Sequence, residues 1–397
     1  MDWKITMISF DFNNDCCGCG GCYNICPATA IQMQKNEEGF KVPVVDIEKC
    51  TNCGLCEKVC PHTNANKNNY LQNDDKSWLY VSKDTSAKYR SSSGAAFYEI
   101  AKSALEKGSY ICGCAWNNDL IAEHIVGCDI EVLHKLQGSK YVQSDTKKVF
   151  KEILTLLQKG NRVIFSGVPC QCTAMGNYVA AFGNGSKYRD QLLIVGVICH
   201  GVASPLVWDS FKKWTSEKEH SELVGVNFRD KSQEGYKKSY CRYDYANGKS
   251  TYLPTYLPSS KYIEATLVYN LAIRNSCAHC VCKGHNDNID IMLGDWYKEY
   301  QGEGNLGTSC IVAYTKRGER YILENLTDLK EIEYLEIYKE NKFIEESECL
   351  GVNRPKFFKQ IKDYQSWDNI ERLYPPKYPI KKFLIKTGLY DIIKGKF

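Results

Sequence analysis

The chain has 397 residues, 43% of them apolar, with 51 Lys and Arg against 47 Asp and Glu for a formal net charge of +4. That is too apolar for a disordered chain, too long for one small module, and too nearly neutral for a general nucleic-acid binder. The 21 Cys are the outlying count; with no secretory or membrane-spanning segment in the sequence, a reducing cytoplasm is expected, where so many thiols point to metal ligands rather than disulfides.

From the N-terminus, Cys16, Cys19, Cys22 and Cys26 followed by Pro27 spell C-x2-C-x2-C-x3-C-P, and Cys50, Cys53, Cys56 and Cys60 followed by Pro61 repeat the pattern. Three closely spaced thiolates cap three irons of a cubane, and the fourth turns away to the other cluster. The spacing therefore predicts two interlocked [4Fe-4S] clusters, one on Cys16, Cys19, Cys22 and Cys60, the other on Cys50, Cys53, Cys56 and Cys26. Zinc has no use for a third Cys at this spacing followed by C-P, twice. Cys17 reads as a packed spare thiol. The runs AIQMQ and GFKVPVVDI around the NEEG turn read as short strands. Residues 1–66 thus resemble a bacterial two-cluster ferredoxin, a small α+β domain.

Residues 67–77 are polar and read as a linker. Beyond it the expected elements alternate: strand WLYVS from Trp78, a helix from Ser93 to Gly108, strand Tyr110–Trp116, a helix capped by Asp145 and ending at Gly160, strand RVIFSG, a helix after Pro169, the buried strand LLIVGVIC and a helix after Pro205. This order predicts a larger α/β domain over 78–320 with its site at the carboxyl ends of the strands. QGEGNLG, though it spells GxGxxG at Gly302, Gly304 and Gly307, is read as a loop because no strand leads in and no helix follows. Residues 321–397 read as a helical extension with a basic tail: 375–397 hold six Lys and one Asp. That tail is expected to dock on a partner or on the chain's own core, with peripheral membrane contact as the other reading.

The segments SSSGAAF, QGSKYVQSD, FSGVPCQC, VICHGVASP, RNSCAHC and DIMLGDWY occur in an order that resembles the beta-subunit family of coenzyme F420 hydrogenases and dehydrogenases. Relatives in that family include formate dehydrogenase beta subunits, the plant 7-hydroxymethyl chlorophyll a reductase and proteins of bacterial polysaccharide gene clusters. The resemblance implies that the large domain binds FAD. Ser91, Ser92, Ser93 and Gly94 would then offer free backbone N–H groups at a helix start to a phosphate, with plain helix capping as the alternative. Gly138, Ser139, Lys140 and Tyr141 would bring a cation to the pyrophosphate or to the reduced flavin, with a solvated lysine turn as the alternative. Gln171 and Asp295 fall in the same motifs and are taken as cofactor-binding; Asp290 and Asp295 have turn and capping chemistry as their alternative. His200 and Lys140 are the candidate catalytic residues.

Cys170, Cys199, Cys277 and Cys280 also sit in these motifs and are expected to hold a third [4Fe-4S] cluster. Zinc on Cys277, Cys280, Cys282 and His285, or inert buried thiols, are the alternatives. Cys112, Cys114, Cys128, Cys172, Cys241, Cys310 and Cys349 read as packed small apolar residues. The expected function is an iron–sulfur flavoprotein oxidoreductase in the cytoplasm of an anaerobe, exchanging electrons with a redox partner protein or a small-molecule carrier and acting on an organic substrate. The other reading is an electron-transfer subunit with no substrate of its own.

Overall fold

The structure, a computed structural model, describes residues 8, 10–64, 75–255, 260–298, 306–375 and 383–384. Gly302, Gly304, most of the expected linker and the basic tail with its membrane contact lie outside the described residues.

The N-terminal arm is a short repeat. Helices α1 (Gly21–Ile25) and α2 (Leu55–Val59) each follow the second Cys of a motif, and strands β1 (Ile31–Lys35) and β2 (Lys41–Val45) pair antiparallel between them with Ile31 opposite Val45. Both helices are entered through a glycine in the left-handed region, Gly20 at φ 77° and Gly54 at φ 70°. That conformation is open to glycine at little cost, and it turns the third thiol of each motif back toward the first two.

After the arm the chain runs β3 (Lys76–Tyr80), α3 (Thr85–Arg90), α4 (Ala96–Glu106), β4 (Tyr110–Trp116), β5 (Ala122–Gly127), α5 (Ile130–Leu136), α6 (Val149–Gln158), β6 (Val163–Gly167), α7 (Pro169–Ala180), α8 (Gly185–Gln191), β7 (Leu192–Val197) and α9 (Pro205–Lys218). Next come β8 (Leu223–Asp230), β9 (Tyr240–Tyr245), β10 (Ser250–Pro254), β11 (Ile291–Trp296), β12 (Thr308–Ala313), α10 (Lys316–Asn325) and β13 (Lys330–Glu331). Eight strands form one sheet in the order β13-β3-β12-β11-β7-β6-β4-β5. The central four run parallel; β5 on one side and β12, β3 and β13 on the other each pair antiparallel with the neighbouring strand. The apolar runs of β6 and β7 are buried because helices cover both faces.

Two helix starts differ from expectation. α4 begins at Ala96, not Ser93, because Ala95 holds φ 67° and Ser93 turns its hydroxyl to Thr308 O. α6 begins at Val149 because Asp145 is spent elsewhere: its backbone bridges Ala122 and His124 of β5 and its carboxylate pairs with Lys41. A second, three-stranded antiparallel sheet, β10-β9-β8, was not foreseen. It packs with α9 and the segment 354–374 around Trp208, Phe211, Phe228, Tyr243, Tyr262 and Trp367. Residues 330–331 add a strand beside β3, and Ile337 and Ile344 enter the main core, so residues 330–344 are packed into the large domain.

The arm is keyed into the large domain by buried polar contacts. Arg274, 2% exposed, donates to Cys16 O, to Lys41 O at 2.9 Å and to Gln143 Oε1 at 2.8 Å. Thr146 Oγ1 donates to Cys19 O and Gln143 Nε2 to Cys17 O, both at 2.9 Å, and Arg354 grips Glu38 through two nitrogens at 2.5 Å each. The fit leaves no room for a methyl at Gly39, where a Cβ would collide with that of Leu206.

Candidate functional site

The thiols of the arm separate into the two interleaved groups that the spacing requires. Cys60, from the second motif, lies within electrostatic reach of Cys16, Cys19 and Cys22, and all four are buried. Cys26, from the first motif, lines a cavity with Cys50, Cys53 and Cys56. This second group is the outer one, with Cys53 exposed. Burial, with the crowding of like groups, pushes the Cys60 thiol up to about 12 and raises that of Cys22. Four thiolates packed this way stay deprotonated only around a positive centre, so the donor set fits an iron–sulfur cluster.

A third sulfur-lined cavity lies where the arm meets the large domain. Cys170 at the first turn of α7, Cys199 just past β7, and Cys277, Cys280 and Cys282 in the turn 275–282 all line it. Cys17, read as a packed thiol, lines it too. Lys283 donates from this wall to Cys199 O at 2.7 Å and Phe343 O at 2.9 Å, placing a cation beside Cys199, Cys277 and Cys280. The zinc alternative fails on His285, whose ring nitrogens are engaged by Asp75 at 3.0 Å and Asp287 at 3.1 Å. Among the described residues no three His, Cys, Asp or Glu side chains converge closely enough to hold a single ion.

On the far side of Cys199 and His200, which line both spaces, a long cleft opens along the carboxyl ends of the parallel strands. Ser91, Ser92, Ser93, Gly138, Ser139, Lys140, Tyr141, Gln171, His200 and Asp295 are all brought together on its walls. Gly94 stands just behind, where a Cβ would meet Tyr80 O at 2.5 Å. The two loops are stitched to each other: Ser92 Oγ accepts from Ser139 N at 2.8 Å, and Gln137 Nε2 donates to Ser91 Oγ at 2.9 Å. Ala95 at the start of α4 offers no side-chain cap, and with Ala96 and Phe97 it faces the cleft; Ala96 N donates to Ser309 Oγ at 3.4 Å, which leaves the rest of the first turn's N–H groups for an anion.

Several side chains carry structural duties as well. Lys140 Nζ donates to Lys135 O and Gln137 O, closing the end of α5, and burial lowers its pKa to about 8. Gln171 accepts from Val168 N and donates to Ser144 Oγ. His200 Nε2 meets Asn270 Oδ1 at 2.7 Å, and burial lowers its pKa. Asp290 is wholly buried between Arg189 and Thr315, away from the cleft, so its role is structural. Of the thiols read as packed, Cys128 and Cys349 are exposed and Cys114 lines the cleft.

Two residues of the cleft, Arg229 and His124, and Lys231 behind its Ser93 wall escaped sequence reasoning. Arg229 pairs with Asp295 at 3.2 Å and lies 5.0 Å from the Tyr236 ring centre. Lys231 is 2% exposed, donates to Ser93 O and Leu306 O, and is brought down to about 7 by burial. His124 stacks on Phe165 and is lowered to about 4, again by burial. The i, i+2 spacing of Arg229 and Lys231 was the available signal, and it went unread because β8 was not recognised as a strand.

Residues 160–342 match the family described as the C terminus of the coenzyme F420 hydrogenase/dehydrogenase beta subunit, and residues 15–64 match a 4Fe-4S dicluster domain. The chain is also similar to a chain in a solved structure of the F420-reducing [NiFe] hydrogenase complex from Methanosarcina barkeri, at 17% identity and a TM-score of 0.46, over 76% of this chain and 92% of that one. A comparison with curated proteins finds no match. No helix among the described residues is long and apolar enough to cross a membrane.

Proposed function

We propose that this chain, in which a 4Fe-4S dicluster domain precedes the C-terminal domain of the coenzyme F420 hydrogenase/dehydrogenase beta-subunit family, is an iron–sulfur flavoprotein oxidoreductase. The observation that carries the reading is the sequence of sulfur sites: an outer group with exposed Cys53, an inner group, and a third cavity whose wall, Cys199 and His200, is also the wall of the cleft. Three clusters and FAD would let single electrons be paired for a two-electron organic acceptor, or run the reverse. Cys170, Cys199, Cys277 and Cys280 are the proposed ligands of the third cluster, with Lys283 offsetting its charge.

The chain's own residues prepare the cleft for a flavin dinucleotide. The start of α4 and the stitched loops 91–94 and 138–141 form an anion cradle for the pyrophosphate, with the Lys140 cation at its edge. Arg229 and Asp295, paired beside Tyr141, orient the ring or its acceptor. His200, held by Asn270, is the proposed proton donor beside the ring. A redox partner protein or small carrier would meet the arm at Cys53.

Anaerobic purification with iron, sulfide and released-flavin quantitation tests this. About twelve irons and one FAD per chain are expected; protein with eight irons removes the third cluster, and protein without flavin removes the oxidoreductase reading. Activity that returns only with an added protein partner would favour an electron-transfer subunit.

A further inference from the structure

The proposed cluster ligands leave two thiols over at the junction, Cys17 and Cys282. Cys282 faces Cys280 and Thr173 within the large domain, whereas Cys17 stands between the two domains. Its neighbour Cys16 belongs to the inner group of the arm, but its own side chain lines the cavity of Cys170, Cys199, Cys277 and Cys280. The thiol interacts directly with Cys19 of the inner group on one side and with Cys170 of the third group on the other.

The backbone fixes this position. Gln143 Nε2 donates to Cys17 O at 2.9 Å, and Ser276 Oγ, next to Cys277, donates to Cys16 O at 3.0 Å. Gly18 follows at φ +67° and is packed so tightly that a Cβ there would lie 2.6 Å from both Arg274 Nη1 and Gln143 Nε2. The dipeptide is therefore clamped by the same residues that hold the arm to the large domain.

We infer that Cys17 is the electron bridge between the inner cluster of the arm and the third cluster, an uncoordinated thiol seated between a ligand sulfur of each. The inference rests on the third cluster proposed above. A polarisable sulfur replaces what would be a gap between Cys19 and Cys170. One electron passes from the reduced inner cluster to the oxidised third cluster. No bond is made or broken.

The test uses the full chain purified without air, as wild type, Cys17→Ala and Cys17→Ser, with iron counts, EPR-monitored redox titration and rapid-mixing reduction followed in time. For Cys17→Ala the expectation is an unchanged count of about twelve irons and electron arrival at the third cluster slowed about tenfold or more. Cys17→Ser, which keeps an atom at the position, should be slowed less. An unchanged rate in Cys17→Ala would overturn the bridge; so would a loss of four irons, which would make Cys17 a ligand. Wild-type protein with only eight irons would instead defeat the third cluster itself, before any variant is made.

Discussion

The arm and the large domain each gather thiols, but by opposite plans. In the arm eight thiols come from residues 16–60, and two short helices entered through equivalent glycines set their spacing. In the large domain the thiols come from the start of α7, the end of β7 and a turn some 75 residues further on, and only the sheet brings them together. A locally encoded site holds its geometry as long as its own turns fold; a site assembled by a sheet is only as good as the packing of the whole domain. The contact between the two plans, Arg274 and the Cys16–Cys17 dipeptide, belongs to both.

The largest expected contrast comes from removing one ligand on each side. Cys22→Ser should disrupt the inner cluster and, because the motifs interlock, the outer one with it, so iron falls from about twelve toward four. Cys199→Ser should cost only the third cluster and leave about eight, with the arm's EPR signal intact. Equal losses from both variants would show that the two regions are one cooperative unit.

Arg274→Ala attacks the junction. It strips donors from Cys16 O, Lys41 O and Gln143 Oε1 in a buried setting, and leaving such acceptors unpaired costs on the order of 3 kcal/mol. The expected readout is a lowered unfolding midpoint with the arm clipped first by protease. An unchanged midpoint would mean that the arm is held mainly by its apolar contacts.

The same contrast explains what was legible in the sequence. The two C-x2-C-x2-C-x3-C-P motifs stated their chemistry outright, because ligand spacing within one short segment is already geometry. Strands Tyr110–Trp116 and Val163–Gly167 and the helix at Pro169 were readable because apolar runs and a proline at the first turn are local signals. The sheet β8–β10 was missed because its alternation, buried at Cys241, Tyr243 and Tyr245, lies in a tyrosine-rich stretch that reads as polar. Arg229 and Lys231 went with it. That Cys17 lies beside Cys170 was not legible, because the two are far apart in the chain and no spacing reports it.

A smaller effect belongs to Lys231, behind the Ser93 wall of the cleft. Burial brings Lys231 down to about 7 from 10.5. Between those two values the unfolded chain holds the proton that the folded chain has released, so folding stability should rise with pH across the window, by at most about 1.4 kcal/mol per unit. Below about pH 7 both states are protonated and the penalty is constant. Lys231→Met should flatten this rise in denaturation series at pH 7, 8 and 9; Lys140, lowered to about 8, adds a parallel slope that remains in the variant, and the difference between the two proteins isolates Lys231.

The smallest effect tests whether the cradle is as local as the arm's turns. Ser92 Oγ accepts from Ser139 N and meets Ser139 Oγ, both at 2.8 Å, and so ties the loop before α4 to the loop after α5. Ser92→Ala removes one hydrogen-bond partner at a half-buried position, worth about 1 kcal/mol, which converts to roughly a fivefold rise in the flavin dissociation constant if the loops bind the pyrophosphate. The iron count should not move, since the thiols that line the sulfur cavities stand on other segments. A fivefold loss of flavin with full iron separates the cleft from the sulfur sites; a loss of both would tie the cradle to the third cavity through the Cys199–His200 wall.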